Sequence, residues 1–332
     1  MYSDEDLNRA IDKGIFSSDS VNQFRKFISN EQDTTLVDEE NFRLIGGFND
    51  IFVVISCLLL LFSTQWVLAD INQIAAFAIY SILAWGLAEF FVRKRRMALP
   101  AIVLLLAFVG GIFTFSMQLF SFLDKDIATI IATAISAVAA YLHWQRFKVP
   151  VTIAAGAAAI VGFVVSFIVS MIPALKDGLM IIIFICGISV FLYAMYWDAM
   201  DRGRTSRQSD VAFWLHLLSA PLIVHPVFSS LGILEGNESF LSMAAVLILY
   251  LVMTFISVAI DRRAFMVSSL VYVIYALSNI FKIYGMVGYS FAITGVLIGT
   301  ALLLLSAYWH QSRMKILNIL PRSVLQYLPA GK

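Results

Sequence analysis

The sequence predicts an all-α fold: a polytopic transmembrane helical bundle of about ten spans, with both termini in the cytoplasm. Three observations predict it. Long uncharged apolar tracts recur from Phe52 onward, charged residues collect in the short links between them, and basic residues crowd into every second link. Hydrophobic residues make up 60% of the chain and charged ones only 14%, against about a quarter charged in soluble globular proteins. A hydrocarbon layer about 30 Å thick needs roughly 20 apolar residues at about 1.5 Å rise each. Lipid-exposed backbone must satisfy its own polar groups, and these runs are too long and too uniformly apolar for alternating barrel strands.

Residues 1–48 read as an acidic, cytoplasmic helical hairpin. Up to Asp50 they hold eleven acidic residues against five basic ones: Arg9, Lys13, Arg25, Lys26 and Arg43. Ser3 followed by Asp6 suggests an N-cap, with Leu7, Ala10 and Ile11 on one face before Gly14 stops the helix. Ser18 or Asp19 caps a second helix, with Val21, Phe24, Phe27 and Ile28 on one face. A DNA-binding hairpin would want a basic surface for phosphates. This one is net acidic, so no nucleic-acid partner is expected.

The membrane domain, 49–309, divides into spans at 49–69, 71–92, 98–122, 127–144, 150–172, 178–197, 211–231, 239–260, 264–284 and 289–309. A very short turn around Asp70 separates the first two. Pro100 and Pro150 open the third and fifth, where a helix N-terminus lacks intrahelical donors anyway. Eleven basic residues lie in one set of links: Arg93 to Arg96, Arg146 and Lys148, Arg202, Arg204 and Arg207, then Arg262 and Arg263. The alternate set holds Lys125, Lys176 and Lys282. That asymmetry places the basic links and both termini in the cytoplasm. Residues 310–332 form a cytoplasmic tail whose apolar positions suggest an amphipathic segment along the inner leaflet, interrupted by Pro321.

An offset of 167 residues lays Arg95–Arg96 on Arg262–Arg263, and Ala140, Tyr141, His143, Arg146 and Lys148 on Ala307, Tyr308, His310, Arg313 and Lys315. Spans one to four are then a parallel repeat of seven to ten, with five and six between them. The alternative is that similar cytoplasmic helix ends recruit aromatic and basic residues independently.

The seventh span carries the chemistry-bearing residues. Pro221 and Pro226 are the only prolines inside a span; each removes a backbone donor and presses on the carbonyl four residues back, here Leu217 and Leu222. Broken helices of this kind line substrate sites in transporters. His216 and His225 lie nine residues apart, about 180° of arc, so they face opposite sides unless the prolines reorient them. That spacing does not suit shared metal ligation. Intramembrane ionisable groups point to function, and histidine titrates near neutral pH. The bland reading is a packing helix whose neutral histidines bond to neighbours. Asp198 and Asp201 close the sixth span beside Arg202 and Arg204. Asp198 and Arg202 are four apart and suit a surface pair, while the sharper reading is a vestibule for cations. Glu89 sits four before Arg93 and pairs or snorkels; Lys282 snorkels to the outer headgroups near Asn279.

Small residues in the fifth span, and Gly295 and Gly299 in the tenth, are a packing signal for contacts within the chain or between copies. Cys57 and Cys186 lie in apolar tracts without ligand spacing, so neither a disulfide nor a metal site is expected. Catalytic and nucleotide-binding motifs are absent, and the chain reads as a non-enzyme without cofactor.

The N-terminal hairpin, the run Arg43-Leu44-Ile45-Gly46-Gly47-Phe48-Asn49-Asp50, the segment Trp214-Leu215-His216 with Pro221 to Pro226, and the proline-punctuated tail together resemble a family of uncharacterised bacterial membrane proteins carrying a domain of unknown function. That resemblance covers nearly the whole chain and implies a bacterial inner-membrane location, with no activity, substrate or cofactor to transfer. Two functional readings stand. The protein transports a small solute or ion at a site formed by His216, His225, Pro221, Pro226, Asp198 and Asp201. Alternatively, it is a membrane scaffold or sensor that docks a cytoplasmic protein through residues 1–48.

Overall fold

The computed structural model describes residues 4–31, 48–202, 204, 206–232, 239–285, 288–325 and 327–329; these residues are mainly helical and include no strand. The chain divides into two units, Met1–Phe42 and Arg43–Lys332.

The first unit contains α1 (Asp4–Asp12) and α2 (Ser18–Glu31), which pack on each other. Gly14 ends α1 at a φ of 68°, a left-handed conformation that costs glycine no Cβ clash. Ser17, one residue before the expected cap, accepts from the Ser20 amide at 3.1 Å. Val21 is buried, whereas Phe24, expected on the same face, is 47% exposed, as are Ile15 and Phe16 to 65% and 49%. Ser3 lies outside the described residues.

The second unit holds ten helices long and apolar enough to cross a membrane. They are α3 (Phe48–Ala69), α4 (Gln73–Ala88, continued by a π-helical segment Glu89–Lys94), α5 (Ala98–Leu119), α6 (Lys125–Phe147), α7 (Val151–Met171), α8 (Leu179–Met200), α9 (Arg207–Ser229), α10 (Phe240–Ile260), α11 (Ala264–Ile283) and α12 (Ser290–Ala307). Every expected span is present, with ends shifted by four residues at most. Asn72 caps α4 by accepting from the Ala75 amide at 3.0 Å, which makes the turn after α3 short. Large side chains such as Phe52, Leu59, Ile82, Leu106, Ile181, Leu251 and Leu303 point outward. So broad an apolar surface is at home in lipid and would aggregate in water.

Helices adjacent in sequence mostly pack together, and α9 also meets α7 and α11. It is the most enclosed span. One core cluster includes Val224 and Phe228 of α9, Met243 and Val246 of α10, and Phe265 and Tyr272 of α11. Another joins Ala154 of α7, Val190 and Ala194 of α8, and Val211 and Leu215 of α9. Gly187 draws α8 onto α9: a Cβ there would sit 2.9 Å from the Leu222 backbone and the Ile223 side chain.

Two expectations need correction. First, α9 is a continuous helix through both prolines, not a broken one. Burial among α7, α8 and α11 holds the turns together despite two missing backbone bonds. Second, the tail is not a free amphipathic segment on a leaflet. After α13 (Trp309–Ile319) and α14 (Arg322–Leu325), Leu328 buries itself in the α9–α11 core, with Leu317, Leu320 and Leu325 against it. Of the two uses open to Gly295 and Gly299, contact within the chain is not made by the described residues, since nothing lies within 4 Å of an added Cβ at either. In the fifth span the signal is used: Gly156 lies against Ala140 and Gly162 against Thr133.

The helices equated by the 167-residue offset share some packing. In each set the second packs on the third, the third on the fourth and the first on the third. Equated residues differ in surroundings: His143 and Arg313 are buried, His310 and Arg146 exposed.

Candidate functional site

The polar groups converge where α8 ends, α9 begins and α10 turns into α11. Asp198, two residues before the end of α8, is wholly buried. Its Oδ1 accepts from Arg262 Nη2 at 2.7 Å, and its Oδ2 lies 2.9 Å from His216 Nε2. Arg262 also donates to the carbonyl and hydroxyl of Ser209, at 3.0 and 3.2 Å, and lies over the Phe213 ring. His216 is fully buried, with Phe191 edge-on to its ring. Its Nδ1 has no hydrogen-bond partner among the described residues. The neutral tautomer with hydrogen on Nε2 fits this arrangement, because it donates to the carboxylate and leaves only a bare lone pair unmet.

A second carboxylate extends the cluster. Asp261 ends α10 in the left-handed region, at a φ of 59°. Its Oδ2 accepts from Arg204 Nη1 at 2.7 Å and its Oδ1 from the Trp309 indole at 2.7 Å, while Arg313 Nε stands 3.8 Å away. Arg204 also donates to the Asp261 and Ile260 carbonyls, satisfying the C-terminus of α10, and its Nε lies 4.0 Å from Asp198. Burial pushes the Arg204 guanidinium below its ordinary value, and the two carboxylates work against that shift. Three arginines and two aspartates thus lie enclosed together, an arrangement that persists only because nearly every charge meets its opposite.

The expected site residues therefore separate. Asp198 and His216 come together. Asp201 instead accepts from the Ser206 amide and hydroxyl, at 2.8 and 2.7 Å, and shapes the link ahead of α9. The expected Asp198–Arg202 pair does not form. Arg202 donates to the carbonyls of Leu328 and Leu325, because Arg262 and Arg204 reach the buried carboxylate from inside the fold. This enclosure also removes the vestibule reading for Asp198. His225 shares a hydrogen bond with the Tyr272 hydroxyl of α11 and lies near Ser229, so its partners differ from those of His216. Pro221 is exposed and Pro226 buried. Among the described residues no three His, Cys, Asp or Glu groups could hold a metal ion.

Sequence reasoning missed Arg262, Arg204, Asp261, Trp309 and Arg313 by assigning link cations to the aqueous surface. Link length gave no signal: three residues join α10 to α11, but three also join the π-helical segment to α5, where Arg95 and Arg96 are exposed. Glu89 is bound more fully than expected: besides Arg93 at 3.3 Å it takes two bonds from Arg146, at 2.6 and 3.1 Å. Lys282 is exposed and donates to Asn279 at 3.2 Å. A separate buried histidine, His143, touches Trp85, Phe108 and Phe147 and lies 3.3 Å from the Thr152 hydroxyl.

No protein-family model, curated protein or solved structure matches the chain.

Proposed function

We propose that this membrane protein moves a small solute or ion across the bilayer, with protons carried by the Asp198–His216 pair. In this reading the basic links and both termini face the cytoplasm of a bacterial inner membrane. The observation that carries it is a wholly enclosed carboxylate–imidazole hydrogen bond between two membrane-spanning helices, with Arg262 on the second carboxylate oxygen. Ionisable groups buried between membrane-spanning helices, here at their cytoplasmic ends, are costly and suit proton relays. A proton taken up at His216 Nδ1 as the Nε2 proton passes to Asp198 leaves the imidazole neutral and cancels the charge that holds Arg262. That loosens the tie between α8 and the α10–α11 turn, and such a two-state element is what alternating exposure of a site requires.

Reconstituted liposomes loaded with a pH-sensitive dye test this. Wild type should move protons when driven by an inward gradient of the transported ion or solute, and Asp198→Asn and His216→Gln should not. No flux above empty liposomes, across common inorganic ions and small metabolites, counts against transport.

The second reading, a scaffold or sensor docking a cytoplasmic protein through residues 1–48, draws on the exposed Ile15, Phe16 and Phe24 of the first unit. Apolar side chains of that size in an acidic segment suit a partner surface. Deleting residues 1–48 should then abolish partner recovery on pull-down; unchanged recovery defeats this reading.

A further inference from the structure

A groove of about 550 Å³ opens between α6, α7 and α8, far larger than the gaps left by ordinary side-chain packing. Its origin is visible in the helix contacts. Gly156 and Gly162 seat α7 closely on α6, while Gly187 draws α8 toward α9, so α7 and α8 part along a trough of small side chains. The walls are almost entirely carbon, and the groove opens on the outer surface of spans that face hydrocarbon.

The ends of the groove say what fits it. On α7 it runs from Thr152 to Val164, about 18 Å at 1.5 Å per residue, and on α8 from Ile185 to Tyr193, about 12 Å. One leaflet of hydrocarbon is half of roughly 30 Å, or about 15 Å. The groove is therefore one acyl chain deep and starts at one membrane face. At that face stand the rings of Tyr141 and Trp144 on α6, suited to the headgroup boundary. Lys148 lies there too, its ammonium 5.3 Å from the centre of the Trp144 ring. Arg146, the other cation of that link, is held by Glu89. Lys148 is exposed, and among the described residues its side chain hydrogen-bonds only to Gln145, a neutral partner that leaves its charge without a carboxylate.

We infer that this groove holds one acyl chain of an anionic phospholipid, with Lys148 at the headgroup phosphate. The match of groove length to a single leaflet and a cation at its mouth favour an amphiphile anchored at the interface over a helix of a second copy, and phospholipid is the amphiphile that the bilayer itself supplies. The inference is independent of the proposed transport.

Native mass spectrometry of the full chain, released from detergent after equilibration with phosphatidylglycerol or phosphatidylcholine of equal chain length, tests it. Wild type should retain one phosphatidylglycerol at least about fivefold more often than phosphatidylcholine. Lys148→Gln should bring the two to near parity. Ala157→Trp and Cys186→Phe fill the groove from opposite walls and should each lose retained lipid of both kinds. Either variant suffices if the other fails to fold, as judged by helical circular dichroism and a monodisperse elution. Should both fail, quenching of tryptophan fluorescence by brominated chains, compared between wild type and Trp144→Phe, replaces them; the Trp144 share should be preferentially quenched. Equal retention of the two headgroups by wild type overturns the inference. So does undiminished retention in a folded groove-filled variant, or a quenched fraction that does not depend on Trp144.

Discussion

Replacing Arg262 by Met keeps an unbranched apolar stem but removes the cation nearest Asp198. At 2.7 Å and an effective dielectric near 20, the Arg262–Asp198 attraction is about 6 kcal/mol. Arg204, at 4.0 Å, leaves about 4 kcal/mol in place. Relief of the desolvation of Arg262 offsets part of the loss, so the net destabilisation is about 3–5 kcal/mol, the range found when one partner of a buried pair is removed. Adding Asp198→Asn to the same background removes the stranded charge. The double variant should therefore be more stable than Arg262→Met alone, a coupling that a sum of independent effects cannot produce. Thermal unfolding in detergent, followed by circular dichroism for wild type, both single variants and the double, measures this. The reasoning is refuted if Arg262→Met melts within the error of wild type, or if the two substitutions simply add.

Gly187→Ala should lower stability by about 1–3 kcal/mol, read as a fall in melting temperature, because the new Cβ meets the Leu222 backbone at 2.9 Å; an unchanged melt means that α8 and α9 lie farther apart. Leu328→Ala should cost about 2–5 kcal/mol in the same assay, since the residue is buried in the α9–α11 core; no loss would mean that the tail is not packed there. His143→Phe should leave stability unchanged or raise it by about 1 kcal/mol. It gives up one 3.3 Å contact with Thr152 but removes a buried Nε2 that has no partner among the described residues, and a drop beyond about 2 kcal/mol points to a role the packing does not explain. Reporter fusions should show the link at Arg96 inside and the link at Phe122 outside the cell; identical sidedness breaks the orientation.

The ten spans were legible because membrane insertion reads a one-dimensional property: length of apolar chain between charges. The helix ends follow from local caps, as at Asn72, and from link charge. The pairing of Asp198 with His216 was half legible, since both residues stood out as ionisable groups beside a span. Their meeting was not, because eighteen residues separate them and only the packing of α8 on α9 sets which turns face each other. Arg262 shows the limit most clearly. Sequence spacing favoured Arg202 for Asp198, yet the partner lies sixty-four residues away.

By itself, the sequence determined that this chain has ten helices long and apolar enough to cross a membrane, where they lie to within about a turn, and which residues carry ionisable chemistry. Those properties rest on hydration cost and on contacts within a few residues. Tertiary structure alone decided that two prolines leave α9 unbroken, that link arginines turn inward onto Asp198 and Asp261, and that the tail closes on the core. Each depends on helix faces distant in sequence meeting in space, where an unmet charge or carbonyl costs more than the ordering needed to satisfy it.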